Sequence, residues 1–237
     1  MKNTNMKNLA IIPARGGSKR IPNKNIVDFF GKPLIAYSLD VASKSMVFDH
    51  IHVSTDSPLI ASIVDSLGYH IDFLRPSILS DDYTGLIPVL QWVLAQYKLR
   101  GLVYDSVTCI YPTAPLLLPS DLQSSLVKFY SYKGEFPLLT FSEFPVPIQW
   151  AFLDSGNEFF APIDSKMLYV RSQDLPFSYY EAASFAIYSA KDLIGGYVSY
   201  NKTLAHVLPR HRAVDIDNYE DLEYAKKLFL LNNMLNA

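Results

Sequence analysis

The 237-residue chain has a single cysteine, Cys109. An internal disulfide is therefore impossible, and zinc sites built on cysteine pairs are excluded. Long hydrophobic runs are also missing. The first apolar stretch, Leu9 to Pro13, is too short for the core of a signal peptide, and no run approaches the roughly 20 residues of a membrane span. A cytoplasmic protein with no membrane partner is the expectation. Charge of one sign is absent as well: 21 Lys and Arg face 23 Asp and Glu, for a net charge of −2. A balanced chain has no global attraction to nucleic acid, so none is expected as a partner. Only 19% of residues are charged while 49% are apolar. That composition excludes whole-chain disorder and supplies one sizeable core. The length suits one domain over 1–237.

What is present reads as alternating strands and helices. Leu9 to Pro13 is a continuous apolar run, the signature of a strand buried on both faces. Leu34, Ile35, Leu39 and Ala42 recur at helical spacing across 33–43. Ile51 to Ser54 reads as a strand. Ser57-Pro58 then caps and opens a helix running to about Leu67. Tyr69 to Leu74 is predicted to be a third strand. Leu86 to Tyr97 is predicted as a helix with Pro88 in its first turn, Ser106 to Tyr111 as a strand, and Pro119 to Tyr130 as a helix. This order predicts βαβ units and an open, mostly parallel α/β sheet flanked by helices. The pattern breaks near residue 140. Between about 142 and 182, prolines 145, 147, 162 and 176 and the turn-like Asp154-Ser155-Gly156-Asn157 predict an extended hairpin excursion within the domain. A strand over 183–188 and a helix over 218–231 complete the pattern.

The segment most suggestive of chemistry follows the first strand. Residues 14–25, ARGGSKRIPNKN, hold Arg15, Lys19, Arg20 and Lys24 and no acid. Gly16 and Gly17 allow close backbone approach or a positive φ, and Ser18 and Asn25 add neutral hydrogen-bonding groups. A strand that runs into a basic, glycine-containing loop at the carboxyl edge of an α/β sheet is suited to phosphate. Neither GxxxxGK[ST] nor GxGxxG is present. A solvated loop with fortuitous charge is the alternative. Asp215 and Asp217, spaced i, i+2, would share one side of an extended segment. They suit a magnesium ion, which takes one or two carboxylates plus phosphate oxygens. Asp217 equally suits a helix cap before Asn218. His50 and His52 read as strand-end residues, Cys109 and Ile216 as core, and His211 as surface.

Taken in order, these motifs resemble the CMP-sugar cytidylyltransferases, which activate sialic acid and its relatives from CTP. The resemblance runs from the basic loop through Phe30-Gly31-Lys32-Pro33-Leu34, Val53-Ser54-Thr55-Asp56, Leu74-Arg75-Pro76 and Leu79-Ser80-Asp81-Asp82. It continues through Tyr111-Pro112-Thr113-Ala114-Pro115-Leu116 and ends at Val214-Asp215-Ile216-Asp217. Tyr111, where sialic acid enzymes usually have glutamine, and the segment from Arg171 to Ala182 resemble the pseudaminic acid branch. The departures are Tyr180, Glu181 and Ala183, which stand where that branch has histidine, aspartate and glycine. Gly85 stands where relatives carry a hydroxyl residue.

The resemblance implies a Rossmann-like nucleotidyltransferase fold and transfer of CMP from CTP to a nonulosonic acid sugar. Sialic or legionaminic acid, or a sugar-nucleotide-binding module without catalysis, are the alternatives to pseudaminic acid. It implies that Arg15, Ser18, Lys19 and Lys24 hold the triphosphate and that Asn25 and Arg75 face the ribose or base. Ala14, Gly16, Thr84 and Tyr111 complete the CTP site. Asp215 and Asp217 would bind Mg2+ and act with Arg15 and Lys24 in catalysis. Arg171, Gln173, Tyr180 and Glu181 would meet the sugar. In the resembling family the excursion makes a dimer contact, so the resemblance implies a homodimer; an intramolecular flap is the alternative.

Overall fold

A computed structural model describes residues 6–235. The strands are β1 (Asn8–Pro13), β2 (Asp28–Phe29), β3 (Lys32–Pro33), β4 (His50–Ser54), β5 (Ser106–Ile110), β6 (Leu138–Glu143), β7 (Phe152–Asp154), β8 (Phe160–Pro162), β9 (Tyr179–Ser189) and β10 (Leu204–Val207). The helices are α1 (Leu34–Ser45), α2 (Pro58–Ser66), α3 (Leu86–Leu99), α4 (Pro119–Ser131), α5 (Ala190–Gly195) and α6 (Tyr219–Leu235). Six strands form the main sheet in the order β10-β6-β9-β5-β1-β4. Only β9 runs antiparallel to its neighbours, β5 and β6. Among the described residues no helix is long and apolar enough to cross a membrane.

Alternation along β1 divides the core. Ala10 and Ile12 face a cluster with Ile35, Leu39, Val64, Leu122 and Phe129, which belong to α1, α2 and α4. Leu9 and Ile11 face the opposite cluster, with Leu90, Val93, Tyr97 and Leu193 from α3 and α5. Burial on both faces explains why β1 and β5 read as unbroken apolar runs. Cys109 is buried in the second cluster, as expected of a core residue. A third cluster joins Ile21, Phe29 and Leu34 to Ile216, Leu222 and Ala225, so α6 packs beneath the basic loop. The entry to α2 follows the sequence closely: the Ser57 side chain accepts the Ile60 N–H, and Pro58 opens the helix.

Several expectations change. Residues 69–74 form no strand: the chain crosses there in bends, and β4 is left as the sheet edge. Strand propensity is overruled because Tyr69 and Ile71 pack on one core cluster and Phe73 on the other, with no strand to pair beside β4. β6, α5 and β10 lie where no element is expected, and β9 begins at Tyr179, before the predicted start at 183. The expected excursion is narrower, spanning 144–178 between β6 and β9, and contains the β7–β8 hairpin. Gly16 and Gly17 do not adopt positive φ. The need at Gly16 is space, since a Cβ there would lie 3.0 Å from the Ser57 Cβ.

Candidate active site

From β1 the chain crosses to β4 on one side, and β5 then adds on the other side of β1. Where crossovers reverse in this way, the loops leaving the two strands part and open a crevice at their carboxyl ends. The loops here are 14–25 after β1 and 111–118 after β5. A cleft of about 480 Å3 opens between them.

The basic loop is folded against its surroundings by its own backbone needs. Ala14 donates its N–H to the Ser54 carbonyl at 2.9 Å. Buried Asn25 donates to the Arg15 carbonyl at 3.0 Å, which pins the loop's two ends together. Gly16 donates to Asp56 at 3.0 Å. These bonds leave Arg15, Ser18, Lys19, Arg20 and Lys24 on the cleft wall, with Asn25 at its base.

Acids from other loops meet these cations. Asp82 accepts from Arg15 at 2.8 Å and pairs with Lys19. Hydrogen bonds from Lys19 and Arg15 hold its carboxyl below the ordinary range. Arg15 also donates to the Asp81 carbonyl at 2.8 Å. On the opposite wall Asp217 pairs with Arg20 at 2.8 Å and with Lys24 at 3.2 Å. Lys24 additionally donates to the Ile216 carbonyl at 2.7 Å.

Arg75 is buried on the cleft wall. Its backbone N–H bonds the Thr55 carbonyl at 2.7 Å, and its guanidinium lies 3.9 Å from Asp56. Two guanidinium nitrogens, Nε and Nη2, are buried without a hydrogen-bond partner. Buried donors of this kind are costly unless a ligand satisfies them.

Asp215 is exposed and lies outside the cleft lining. Partial desolvation of its carboxyl and the charge of Asp217 raise its pKa. Glu181 is raised by burial and by Asp215. Tyr111, which lines the cleft, is pushed up chiefly by burial, with the charges of Glu181 and Asp215 adding to it. The three acids therefore share one electrostatic neighbourhood. Among the described residues no cluster of three or more His, Cys, Asp or Glu has metal-site geometry. A pair of carboxylates still fits magnesium, which fills most of its shell with water and phosphate oxygens. Asp217 is also free of the capping role: Asn218 accepts the Asp221 N–H, and Asp221 accepts the N–H groups of Asp217 and Asn218.

The structure thus brings Arg15, Ser18, Lys19, Lys24, Asn25, Arg75, Thr84, Tyr111 and Asp217 to one cleft. Ala14 and Gly16 stand behind it. Of the residues expected to meet the sugar, Glu181 is exposed, outside the cleft lining and coupled by charge to Asp215, and Tyr180, also outside the lining, packs on Phe144 with ring centroids 5.2 Å apart. Arg171 and Gln173 do not reach the cleft within this chain. Arg171 is exposed and paired with Asp174 at 2.7 Å, and Gln173 lines a groove inside the excursion. The sequence reading missed Asp82, Asp56 and the pairing role of Arg20. Two acids directly downstream of Arg75 were the available signal.

Comparison with known proteins agrees with this geometry. A family model described as cytidylyltransferase matches residues 9–237. The pseudaminic acid cytidylyltransferase of Campylobacter jejuni is 42% identical, over 96% of this chain and 98% of that protein. The CMP-N,N'-diacetyllegionaminic acid synthase of Legionella pneumophila is 30% identical, over 96% and 98%. Among solved structures, a CMP:2-keto-3-deoxy-manno-octonic acid synthetase complexed with CTP shares the fold. Its TM-score is 0.71 at 17% identity, covering 95% of this chain and 99% of that one.

Proposed function

The chain belongs to the cytidylyltransferase family, and from that premise we propose that it transfers CMP from CTP to the anomeric hydroxyl of pseudaminic acid, releasing pyrophosphate. The observation that carries the nucleotide half is the cleft itself. Five cations, Arg15, Lys19, Arg20, Lys24 and Arg75, converge on it at the sheet's switch point. The sugar is inferred from the near full-length similarity to the Campylobacter enzyme.

In this reading the sugar hydroxyl oxygen forms a bond to the α-phosphorus and gives up its proton to solvent, as the bond from the α-phosphorus to the α–β bridging oxygen breaks and pyrophosphate leaves with that oxygen. Such a displacement needs positioning and charge compensation more than covalent catalysis. Arg15 offers a planar fork to phosphate oxygens, and Lys19 and Lys24 offer point charges. The triphosphate replaces Asp82 and Asp217 as their partner. Arg75, on the cleft wall with two unpaired donors, takes acceptors of the nucleotide. Asp215 and Asp217 would hold a magnesium ion, which would offset charge on the phosphates and acidify a bound hydroxyl. The acidic neighbourhood of Glu181 and Asp215 receives the sugar beside the α-phosphate.

A homodimer completes the proposal. The excursion exposes Phe152, Phe159, Phe160, Ile163, Tyr169 and Phe177, apolar surface that a partner copy would cover. Arg171 and Gln173 would then meet the sugar from the partner's side. A step that consumes CTP belongs in the cytoplasm, where nucleoside triphosphates are made.

The test is pyrophosphate release from CTP and Mg2+, with pseudaminic, legionaminic and sialic acids offered in parallel. Turnover with pseudaminic acid alone is expected. Turnover with another of the three reassigns the sugar. Failure to bind CTP overturns the reading of the cleft.

A further inference from the structure

Behind the cleft, Asp121 on α4 collects an unusual set of donors. It accepts from Arg212 at 2.6 and 3.2 Å, one bond to each carboxylate oxygen. His206 on β10 approaches at 3.1 Å, and the Leu118 N–H donates at 2.8 Å. The Asp121 side chain is 7% exposed and that of Arg212 16%. Burial pushes the Asp121 carboxyl up, and the bonds from His206, Arg212 and Leu118 outweigh it.

Such a pair is weak evidence for stability, because desolvating two charges cancels much of their attraction. A bidentate fork does, however, fix direction and distance. Asp121 fixes the end of the 111–118 loop, through Leu118, and that loop's Tyr111, Pro112 and Thr113 line the cleft. Arg212 precedes Asp215 by three residues, with Ala213 buried between them and Ile216 buried between Asp215 and Asp217.

The segment's other holds are of a different kind. Arg20 and Lys24 grip Asp217, and Lys24 also grips the Ile216 carbonyl. Both cations face the cleft, where a triphosphate would compete for them. The Arg212–Asp121 pair lies outside the cleft lining, so a ligand in the cleft would not compete for it directly.

Resting on the function proposed above, we propose that Asp121 and Arg212 are positioning residues. Their bidentate pair fixes the Asp215–Asp217 segment against the 111–118 loop, so that the carboxylates keep their place when Lys24 turns to phosphate.

The test uses full-length Arg212→Lys and Asp121→Asn, read by thermal melting, metal-free CTP titration, Mn2+ titration of the CTP complex and steady-state kinetics. Arg212→Lys keeps the charge and loses the fork, so it guards against simple unfolding by Asp121→Asn. The expected result is metal-free CTP affinity within about twofold of wild type, with Mn2+ affinity and kcat each down about tenfold to a hundredfold, the scale of a ~1 Å misplacement. KM for CTP moves little, and Arg212→Met is worse than Arg212→Lys. Wild-type kcat and Mn2+ affinity in Arg212→Lys overturn the proposal, whatever the melting temperature. Parallel loss of metal-free CTP affinity also overturns it, since the whole cleft would then have moved. Asp217→Ala is the control. If that variant keeps full Mn2+ affinity, the metal reading fails and the proposal with it. A sensitive control beside an insensitive Arg212→Lys removes the proposal alone.

Discussion

Replacing Arg75 with methionine should separate binding from stability. The guanidinium is buried, and Nε and Nη2 lack partners. Each orphaned donor costs about 1–3 kcal/mol, so two cost about 2–6 kcal/mol. Attraction to Asp56 at 3.9 Å offsets part of this. At the effective dielectric typical of a protein surface, that attraction is about 4 kcal/mol. The two sums nearly cancel, so the nucleotide-free protein gains little from Arg75. Methionine preserves much of the volume and removes both the penalty and the attraction. Asp56 keeps its bond from the Gly16 N–H. The difference is at most about 2 kcal/mol either way, so the melting temperature should change by no more than about 8 °C in either direction, given ~2–4 °C per kcal/mol at this chain length. CTP binding should behave differently. A hydrogen bond from a charged donor contributes about 1.5–3 kcal/mol, so Kd should rise at least ~10-fold and up to ~150-fold. Calorimetric titration with CTP and a thermal melt of the same preparation measure both. A melt lowered by well over about 8 °C with unchanged CTP affinity would refute the reasoning, because Arg75 would then be a structural counter-ion for Asp56.

Three further outcomes are expected. Asp217→Ala should lower kcat by at least about a hundredfold, the scale of a lost electrostatic contact in the transition state, while circular dichroism stays native; unchanged turnover removes the metal role. His52 is buried with both ring nitrogens unpartnered, and burial lowers its pKa to about 4, with Arg100 adding to and Asp72 opposing the shift. The unfolded chain binds this proton near pH 6.5 and the folded chain only near 4, so stability is lost as pH falls through that window. The loss is about 3 kcal/mol, and His52→Phe should flatten the melting curve between pH 6.5 and 4; an unchanged slope assigns the acid sensitivity elsewhere. Ala183 has φ +43° beside the register shift between Leu139 and Phe141, a backbone region costing a non-glycine residue about 1–2 kcal/mol. Ala183→Gly should therefore stabilise the fold by up to about 1 kcal/mol in urea denaturation after the added chain entropy is counted, and a destabilised variant would show that the strain is absent.

The fold was legible where local pattern and tertiary need agree. Leu34, Ile35, Leu39 and Ala42 repeat at helical spacing because α1 has one core face, and all four are buried. Ser57-Pro58 carries its own start signal, and the cap is formed. Residues 69–74 misled because apolar content there serves packing on two clusters, which leaves no strand pattern in the backbone. β6 and β10 were missed for the complementary reason. Thr140, Ser142 and His206 break their apolar runs, and each has a partner that only the fold supplies. Thr140 and Ser142 donate to the Phe185 and Leu208 carbonyls, and His206 meets Asp121.

The site divides in the same way. Its cations were legible because four of them sit within ten residues of one loop, directly after a strand. Among its acids Asp217 was singled out by its spacing from Asp215, but its pairing with Arg20 and Lys24 was not, and Asp56 and Asp82 were given no role, because these acids come from three distant loops and acquire meaning only by facing that cluster. Their placement has a consequence for binding. Without nucleotide, Arg15 and Lys19 are neutralised by Asp82, and Arg20 and Lys24 by Asp217. A triphosphate therefore enters by exchange of partners and not by filling an unsatisfied cationic hole. The two acids are not equivalent after exchange. Asp82 is released on a loop beside the exposed Tyr83. Asp217 remains tied to the buried Ile216 and, through Asp221, to the start of α6. A carboxylate freed of its lysine but held in place would have a raised demand for positive charge, and on the proposed function a divalent cation arriving with the triphosphate would meet that demand. The sequence spacing of Asp215 and Asp217 is what nominates these two residues for that role. The need for it arises from Lys24, 193 positions away in the chain.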